Sequence, residues 1–171
     1  RIYQFLITKK MHNFTKETWP NGLRTIYVPM KGTQTITLLV LAATGSRYET
    51  KDINGISHFL EHMFFKGTVK RPGKSQIAQD LDAVGAAYNA FTDKELTGYW
   101  VKVDSKHADL AFDVVSDIFL NSTIPEAEIE KERGVIIGEI DMYEDTPMRK
   151  IGDLFEELLY GDQPAGWDTA G

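Results

Sequence analysis

The clearest hydrophobic pattern in the chain is a helical one between Gly55 and Gly67, with the sequence GISHFLEHMFFKG. At 100° per residue, the large apolar side chains fall on one arc of this helix. The members of that arc are Ile56, Phe59, Leu60, Met63 and Phe64. The opposite arc carries His58, Glu61, His62 and Phe65. The pattern therefore predicts a short helix with its apolar side on the core and two histidines and a carboxylate on the other side.

Strand patterns occur before and after this helix. Segments 14–19 and 24–28 alternate in polarity around the turn sequence Pro20-Asn21-Gly22, which predicts a β-hairpin. Residues 35–43, TITLLVLAA, are almost continuously apolar, and we expect a central strand covered on both faces. Two further strands are predicted at 86–91 and 96–103.

Apolar residues at helical spacing predict four more helices, with ends at 75–85, 106–120, 125–145 and 148–160. Asn54 and Ser75 are the expected N-caps of the first two helices, and Pro125 the expected first residue of the fourth. The order of hairpin, strand, helices, hairpin and helices predicts an α+β fold, a mostly antiparallel sheet with helices packed on it.

Composition narrows the classes of function and of metal ligand. The 171 residues carry a net charge of −6 and no Lys/Arg cluster, so neither nucleic acid nor an anionic membrane is expected as a partner. Cysteine is absent, so a bound metal has to be held by histidine and carboxylate. The longest apolar run, 36–43, is too short to span a bilayer, and residues 1–10 lack a signal-peptide pattern. We expect a cytoplasmic protein, or a mitochondrial matrix protein if the source is eukaryotic.

The ends of the chain differ from its middle. Residues 1–12 are assigned as an N-terminal extension whose status the sequence leaves open, because Met11 opens the first well-patterned segment. Residues 160–171, YGDQPAGWDTAG, form a Gly- and Pro-rich loop with no closing element after it. Residues 13–171 are therefore expected to form one domain that is incomplete at its C-terminal end.

The two histidines of the first helix have the spacing of metal ligands. His58 and His62 are four residues apart, so their imidazoles lie one turn above the other and can share one ion. Glu61 lies beside them, where its carboxylate can reach a metal-bound water without binding the metal itself, as a general base does. The alternative is a solvated polar helix face that carries two histidines. His12 and His107 are interpreted as exposed end residues rather than ligands.

A third ligand is expected on the helix predicted at 125–145. Glu132 and Glu139 fall inside the apolar arc of that helix, whose other members are Ile129, Val135, Ile136, Ile140 and Tyr143. A carboxylate among apolar groups costs several kcal/mol unless a cation or hydrogen bonds compensate it. The alternative is that both glutamates reach water or pair with Arg or Lys. For Glu139 the zinc interpretation is favoured, because catalytic zinc usually takes three protein ligands and the first helix supplies two.

The motif HFLEH, followed by the glutamate of GEI in ERGVIIGEIDMYEDTP, resembles the inverted-zincin metallopeptidases, the pitrilysin, insulin-degrading enzyme and mitochondrial processing peptidase β-subunit family. The resemblance covers residues 14–171, including NGLRTIYV, GSRYE, YNAFTDKELTGYW and LFEELLYGDQP. It implies the N-terminal catalytic domain of a zinc-dependent endopeptidase with one Zn²⁺ per chain. By position, the zinc ligands are His58, His62 and Glu139, the general base is Glu61, and the supporting acidic residue is Glu132.

The resemblance also implies a substrate and a partner. In that family a peptide substrate adds as a strand to the sheet edge near the metal, which here is 87–91 with Asn89 and Ala90 as contacts. A second homologous half, in the same polypeptide, in a partner subunit or in another copy, completes the active cavity. The chain alone is therefore expected to bind zinc but to hydrolyse peptides poorly.

Two alternatives to the peptidase interpretation stay open at this point. S-ribosylhomocysteine lyase shares an H-x-x-E-H helix, but its metal site resembles one that needs a catalytic cysteine, and this chain has none. A non-catalytic structural or partner subunit of the same family is the second alternative. Such subunits typically lose a ligand or the base, whereas all four positions are present here. The sequence does not identify the peptide substrate.

Overall fold

The computed structural model describes residues 13–171, which fall into two compact units, residues 13–34 and Thr35–Gly171. The predicted extension at 1–12, which includes His12, lies outside the described residues. In the first unit, strands β1 (Thr15–Thr18) and β2 (Arg24–Tyr27) form an antiparallel pair. The turn at Pro20-Asn21-Gly22 closes with a hydrogen bond from the Gly22 amide to the Trp19 carbonyl oxygen (2.9 Å). Gly22 has φ +85°, a conformation that glycine adopts without strain. The hairpin prediction is confirmed.

The second unit is built on a three-stranded antiparallel sheet of β3 (Thr35–Ala42), β4 (Ala87–Thr92) and β5 (Thr97–Asp104) in the order β3-β5-β4. Leu38 pairs with Val101, and Val101 with Tyr88. Within this sheet β5 is central and β3 lies at an edge, so the prediction of a central, doubly covered strand at 35–43 is wrong. Leu39 and Leu41 are about half exposed on the face away from the helices. The prediction failed because an apolar run does not reveal how many neighbouring strands a strand has.

Five α-helices accompany the sheet among the described residues. They are α1 (Ile56–Met63), α2 (Gln76–Asp82), α3 (Ala108–Asn121), α4 (Glu126–Glu144) and α5 (Pro147–Tyr160). Side chains from β5, α2 and α3 form the core. Its fully buried members include Ile77, Leu81, Tyr99, Val101, Val114, Val115 and Ile118. The predicted α+β fold, an antiparallel sheet with helices packed on it, is confirmed. None of the described helices is long and apolar enough to cross a membrane.

Several predicted helix details are wrong. Gly55, not Asn54, is the N-cap of α1, and Pro125 is the N-cap of α4 rather than its first helical residue. The prediction that Ser75 is the N-cap of α2 is confirmed, although its side chain makes no capping hydrogen bond. Ile56, predicted to be in the core, is 40% exposed at the first position of α1. Val135 is 55% exposed.

The inward stripe of α4 alternates acidic and apolar side chains. It consists of Glu132, Ile136, Glu139 and Tyr143, spaced four, three and four residues apart, which is one side of an α-helix. Val135 falls outside this stripe because the helix is rotated so that its two glutamates, rather than its largest apolar residues, face α1. On this side of α4, Glu132 and Glu139 both contact His62 of α1.

The loop after α1 is fixed to α2 and α3 by Arg71, whose side chain is only 6% exposed. Its guanidinium donates to Asp80 (2.8 Å), Asp113 (2.6 Å) and Asp117 (2.9 Å). Asp117 is itself buried and accepts a hydrogen bond from the Thr68 hydroxyl (2.6 Å). This ion-pair cluster holds the loop that follows the C-terminal end of α1.

Replacing Arg71 by alanine should destabilise the folded protein by about 3 kcal/mol, because it leaves the buried Asp117 carboxylate without its cation. Urea unfolding of the full-length protein measures this free energy. The matched control is Lys70→Ala, which removes an exposed ion pair to Asp113 and should cost less than about 1 kcal/mol. Equal losses in the two variants would contradict a structural role for the buried cluster.

Candidate metal centre

Three side chains from two helices converge on one point. His58 and His62 project from α1, and Glu139 projects from the facing helix α4. The two histidine Nε2 atoms are 3.2 Å apart. The Glu139 Oε2 atom lies 3.7 Å from Nε2 of His58 and 3.4 Å from Nε2 of His62. Among the described residues this is the one group of three His, Cys, Asp or Glu side chains arranged to hold a metal ion.

The geometry of this group fits zinc. Ligand atoms bound to a tetrahedral zinc at 2.0–2.1 Å lie about 3.3 Å from one another, close to the three distances found here. Two imidazole nitrogens and one carboxylate oxygen are also a donor set that zinc prefers, and such a set leaves a fourth position open. The three side chains are 12%, 19% and 24% exposed, so the group is reached from solvent on one side. His58, His62 and Glu139 can therefore hold one Zn²⁺.

The ring of His62 is oriented by Glu132. The Nδ1 atom of His62 lies 2.9 Å from Oε1 of Glu132, which leaves Nε2 as the nitrogen directed towards His58 and Glu139. The other Glu132 oxygen pairs with the Lys66 ammonium (2.5 Å). Burial raises the pKa of Glu132, but hydrogen bonds from Lys66 and His62 outweigh it and hold the pKa below its usual value. Glu132 is therefore an ionised carboxylate that fixes the orientation of the His62 ring, as outer-shell carboxylates do in metal sites.

His58 has no comparable partner. Its Nδ1 atom is buried and makes no hydrogen bond to any described residue. Burial and the neighbouring His62 lower the pKa of His58 below that of a free imidazole. The ring is therefore neutral near pH 7, the form in which histidine binds metal.

Glu139 is held from its other oxygen. The Tyr143 hydroxyl donates to Oε1 of Glu139 (2.5 Å), which directs Oε2 to the histidines. The Arg149 guanidinium lies over the Tyr143 ring, 4.3 Å from its centroid. The hydrogen bond to Glu139, together with burial, raises the pKa of Tyr143, so this hydroxyl stays protonated as a donor.

The metal group opens into a cavity of about 820 Å³, and Glu61 lines the same cavity. Glu61 is half-buried and immediately precedes His62 on α1. One cavity wall is β4, an edge strand of the sheet, with Asn89 and Ala90 among its lining residues. The Ala90 amide donates to Oδ1 of the Asn89 side chain (2.9 Å).

The far wall of the cavity is formed by the polar side of α5. Arg149, Asp153 and Glu156 line the cavity from this helix. The other side of α5 carries large apolar side chains that are all at least half exposed. They are Met148, Ile151, Leu154, Phe155, Leu158 and Leu159. Helix α5 therefore has one polar side that lines the cavity and one apolar side that is exposed on the outside of the unit.

Comparison with known proteins assigns the chain to a family. The family model described as insulinase, peptidase family M16, matches residues 24–170. This chain belongs to the insulinase family of peptidases. A Bacillus subtilis relative named "uncharacterized zinc protease YmxG" is 44% identical over 154 residues, and a Rickettsia felis relative named "uncharacterized zinc protease" is 41% identical over 154 residues.

The structural comparison agrees with the family assignment. A crystal structure of a protease from Helicobacter pylori superposes with a TM-score of 0.84 over 93% of this chain at 27% identity. The insulinase-family chain covers 38% of that protein and 37% of the Bacillus subtilis relative. It thus spans little more than a third of the length of the relatives that it matches.

All site residues predicted in this insulinase-family chain lie at the cavity. His107 does not line it and lies instead at the N-cap of α3. Sequence reasoning missed Lys66, Tyr143 and Arg149. Tyr143 had a usable signal, because it lies four residues after Glu139 on the same side of α4. Lys66 had none, because its contact with Glu132 depends on how two distant helices pack.

Proposed function

We propose that this chain carries the catalytic centre of a zinc-dependent endopeptidase that cleaves peptides bound in extended conformation. His58, His62 and Glu139 are proposed to hold one Zn²⁺, and Glu61 is proposed as the general base. The observation that carries the proposal is the convergence of the three ligand atoms, at zinc-like separations, beside a further carboxylate in one open cavity. The zinc protease names of the relatives support the same chemistry.

The roles of the residues follow from their chemistry. Bound zinc would supply a Lewis acid at the wall of the cavity. Glu61 takes a proton from the attacking water and later gives it to the leaving amine, as a general acid–base catalyst does. Glu132, bound to Lys66, keeps the His62 ring in one orientation throughout. Tyr143 does the same for Glu139 through its hydroxyl.

The substrate is proposed to bind along β4. A free strand edge offers main-chain donors and acceptors to an extended peptide, which reads the backbone rather than the sequence. In this structure the Ala90 amide is hydrogen-bonded to the Asn89 side chain. A bound peptide carbonyl would replace that side-chain oxygen, and the released Asn89 amide could then contact the peptide. Asn89 and Ala90 are therefore proposed as substrate contacts.

The test is zinc content followed by peptide cleavage. The full-length protein should contain one zinc per chain and cleave an internally quenched peptide, and a chelator should abolish cleavage until zinc is restored. Cleavage that persists after the zinc is removed would contradict the proposal. A protein that holds zinc but cleaves none of a broad peptide library would favour a non-catalytic subunit of the same family instead.

We further propose that the cavity is completed by a second homologous half, supplied by the rest of the polypeptide, a partner subunit or another copy. The exposed apolar side of α5 and the 37% coverage of the Bacillus subtilis relative support this. The 171-residue chain alone should therefore bind zinc with the affinity of the full-length protein but cleave the quenched peptide at least about tenfold more slowly, since substrate positioning is incomplete. Equal cleavage rates at low protein concentration would contradict the need for a second half.

A further inference from the structure

The GSRYE segment ends at a buried acidic residue to which the proposed chemistry gives no role. Glu49 follows a 3₁₀ turn at Ser46–Tyr48 and is only 6% exposed. It lies outside α1 in the sequence but against the beginning of that helix in space. Its two carboxylate oxygens accept hydrogen bonds from three residues. A buried carboxylate that is fully hydrogen-bonded in this way serves a defined structural purpose.

The three donors all belong to the N-terminal end of the metal-binding helix. Oε2 of Glu49 accepts from the Gly55 amide (2.7 Å) and from the Asn54 side chain (3.1 Å), and Oε1 accepts from the Ser57 amide (2.8 Å). Amides at a helix N-terminus have no partner within the helix, and the N-cap, Gly55, has no side chain to supply one. Glu49 therefore caps α1 from another part of the chain.

The charge of Glu49 suits this position. Burial raises its pKa, but the hydrogen bonds from Ser57, Asn54 and Gly55 outweigh burial and lower the pKa below its usual value. An ionised carboxylate at a helix N-terminus also interacts favourably with the helix dipole. Neither the hydrogen bonds of Glu49 nor its interaction with the helix dipole involves the side chains of the proposed metal ligands. Glu49 acts on the backbone of α1.

The two histidines of α1 depend on that backbone to different degrees. The His62 ring is fixed by its hydrogen bond with Glu132. The Nδ1 atom of His58 has no partner among the described residues, so no hydrogen bond outside the metal group orients that ring. The position of the His58 ring is therefore set by the main chain of the first turn. Ser57, whose amide donates to Glu49, is the residue immediately before His58.

The other side of the same turn is blocked by the last described residues. Gly55 has φ +92°, and a Cβ there would lie 2.4 Å from the Ala170 carbonyl oxygen. Asn54 donates to the Asp168 carbonyl oxygen (3.0 Å). The first turn of α1 is thus held between Glu49 and residues 168–170, which also line the cavity.

We propose that Glu49 is a positioning residue of the metal centre, which fixes the first turn of α1 and thereby the imidazole of His58. The inference rests on the zinc centre proposed above. It predicts that loss of one Glu49 acceptor weakens zinc binding even where the protein stays folded. Outer-shell partners of metal sites change metal affinity by about 10–100-fold, and we expect an effect in that range.

The experiment compares Glu49→Gln and Glu49→Asp in the full-length protein, with zinc affinity measured by competition with a chromophoric chelator. Glutamine presents an NH₂ group to a backbone N–H, so Glu49→Gln should lose about tenfold or more in affinity. Aspartate keeps both oxygens and the charge and should recover part of the loss. The Co²⁺-substituted Glu49→Gln protein should show altered visible bands, because the ligand geometry changes.

The matched control is Glu95→Gln. Glu95 is an exposed glutamate that pairs with Arg47, two residues from Glu49, so the same chemical change is made nearby without touching α1. Its zinc affinity should stay within twofold of wild type. Wild-type affinity and spectrum in folded Glu49→Gln would overturn the inference and leave the zinc centre intact.

A measurement on the unaltered protein covers the case in which the variants do not fold. In the zinc-free wild type, the amides of Gly55 and Ser57 should be protected from hydrogen exchange, because Glu49 holds both. Exchange at the rate of free amides would overturn the inference. A wild-type protein that binds no zinc would overturn both this inference and the proposed function, so the two failures are distinguishable.

Discussion

Glu61→Gln in the full-length protein should keep one zinc per chain and lose peptide hydrolysis by about 10²–10⁴-fold in kcat/KM. Glutamine has nearly the shape of glutamate but cannot accept a proton from water. The proposed ligands, His58, His62 and Glu139, are untouched by the change. The loss should fall on kcat rather than on KM, because Glu61 is assigned to proton transfer and not to substrate binding.

The measurement is steady-state cleavage of the quenched peptide, with zinc content determined on the same samples. Glu157→Gln is the matched control, since Glu157 lies on the exposed part of α5 and does not line the cavity. The control should cleave at the wild-type rate. Near wild-type turnover by Glu61→Gln would show that another group is the base.

Glu139→Ala should lose both zinc and hydrolysis. It removes the one proposed ligand that comes from α4, and two histidines remain on α1. Because loss of an outer-shell partner alone costs about 10–100-fold in metal affinity, loss of a direct ligand should cost more than about 100-fold. Competition with a chromophoric chelator measures the affinity. Circular dichroism checks that the helices are retained.

The matched control for this change is Glu130→Ala. Glu130 lies on the same helix, but its side chain is 79% exposed and pairs with Arg133 on the surface. Its removal should leave zinc affinity unchanged. If Glu139→Ala bound zinc as tightly as Glu130→Ala, the α4 glutamate would not be a ligand, and the metal group would have to be built from other residues.

The local part of the site could be predicted from the sequence because helix periodicity is local. The spacing of His58 and His62 places both on one side of α1 wherever that helix packs. Glu139 was found by a different signal, a carboxylate on an otherwise apolar side of a helix. That signal did not distinguish Glu139 from Glu132. The structure separates them, because Glu132 contacts Nδ1 of His62 while Glu139 faces both Nε2 atoms.

What could not be predicted depends on contacts between distant segments. Lys66 and Glu49 act on the site through hydrogen bonds to residues brought near by the packing of the helices and loops, and neither residue stands out in a periodic pattern. The N-cap of α1 was assigned to Asn54 because capping preferences concern the polar residue that immediately precedes a helix. In the structure the Glu49 carboxylate accepts the hydrogen bonds from the Gly55 and Ser57 amides instead. Val135 was assigned to the apolar arc of its helix from its hydrophobicity, but it is 55% exposed, and Glu132 and Glu139 lie on the side of α4 that contacts α1.

The most direct test of the account is the position of zinc in a crystal of the full-length protein, located by anomalous scattering at the zinc edge. The account predicts one peak, about 2.0–2.2 Å from Nε2 of His58, Nε2 of His62 and Oε2 of Glu139. A peak ligated by the two histidines with the Glu139 carboxylate directed elsewhere, or no peak between α1 and α4, would contradict it.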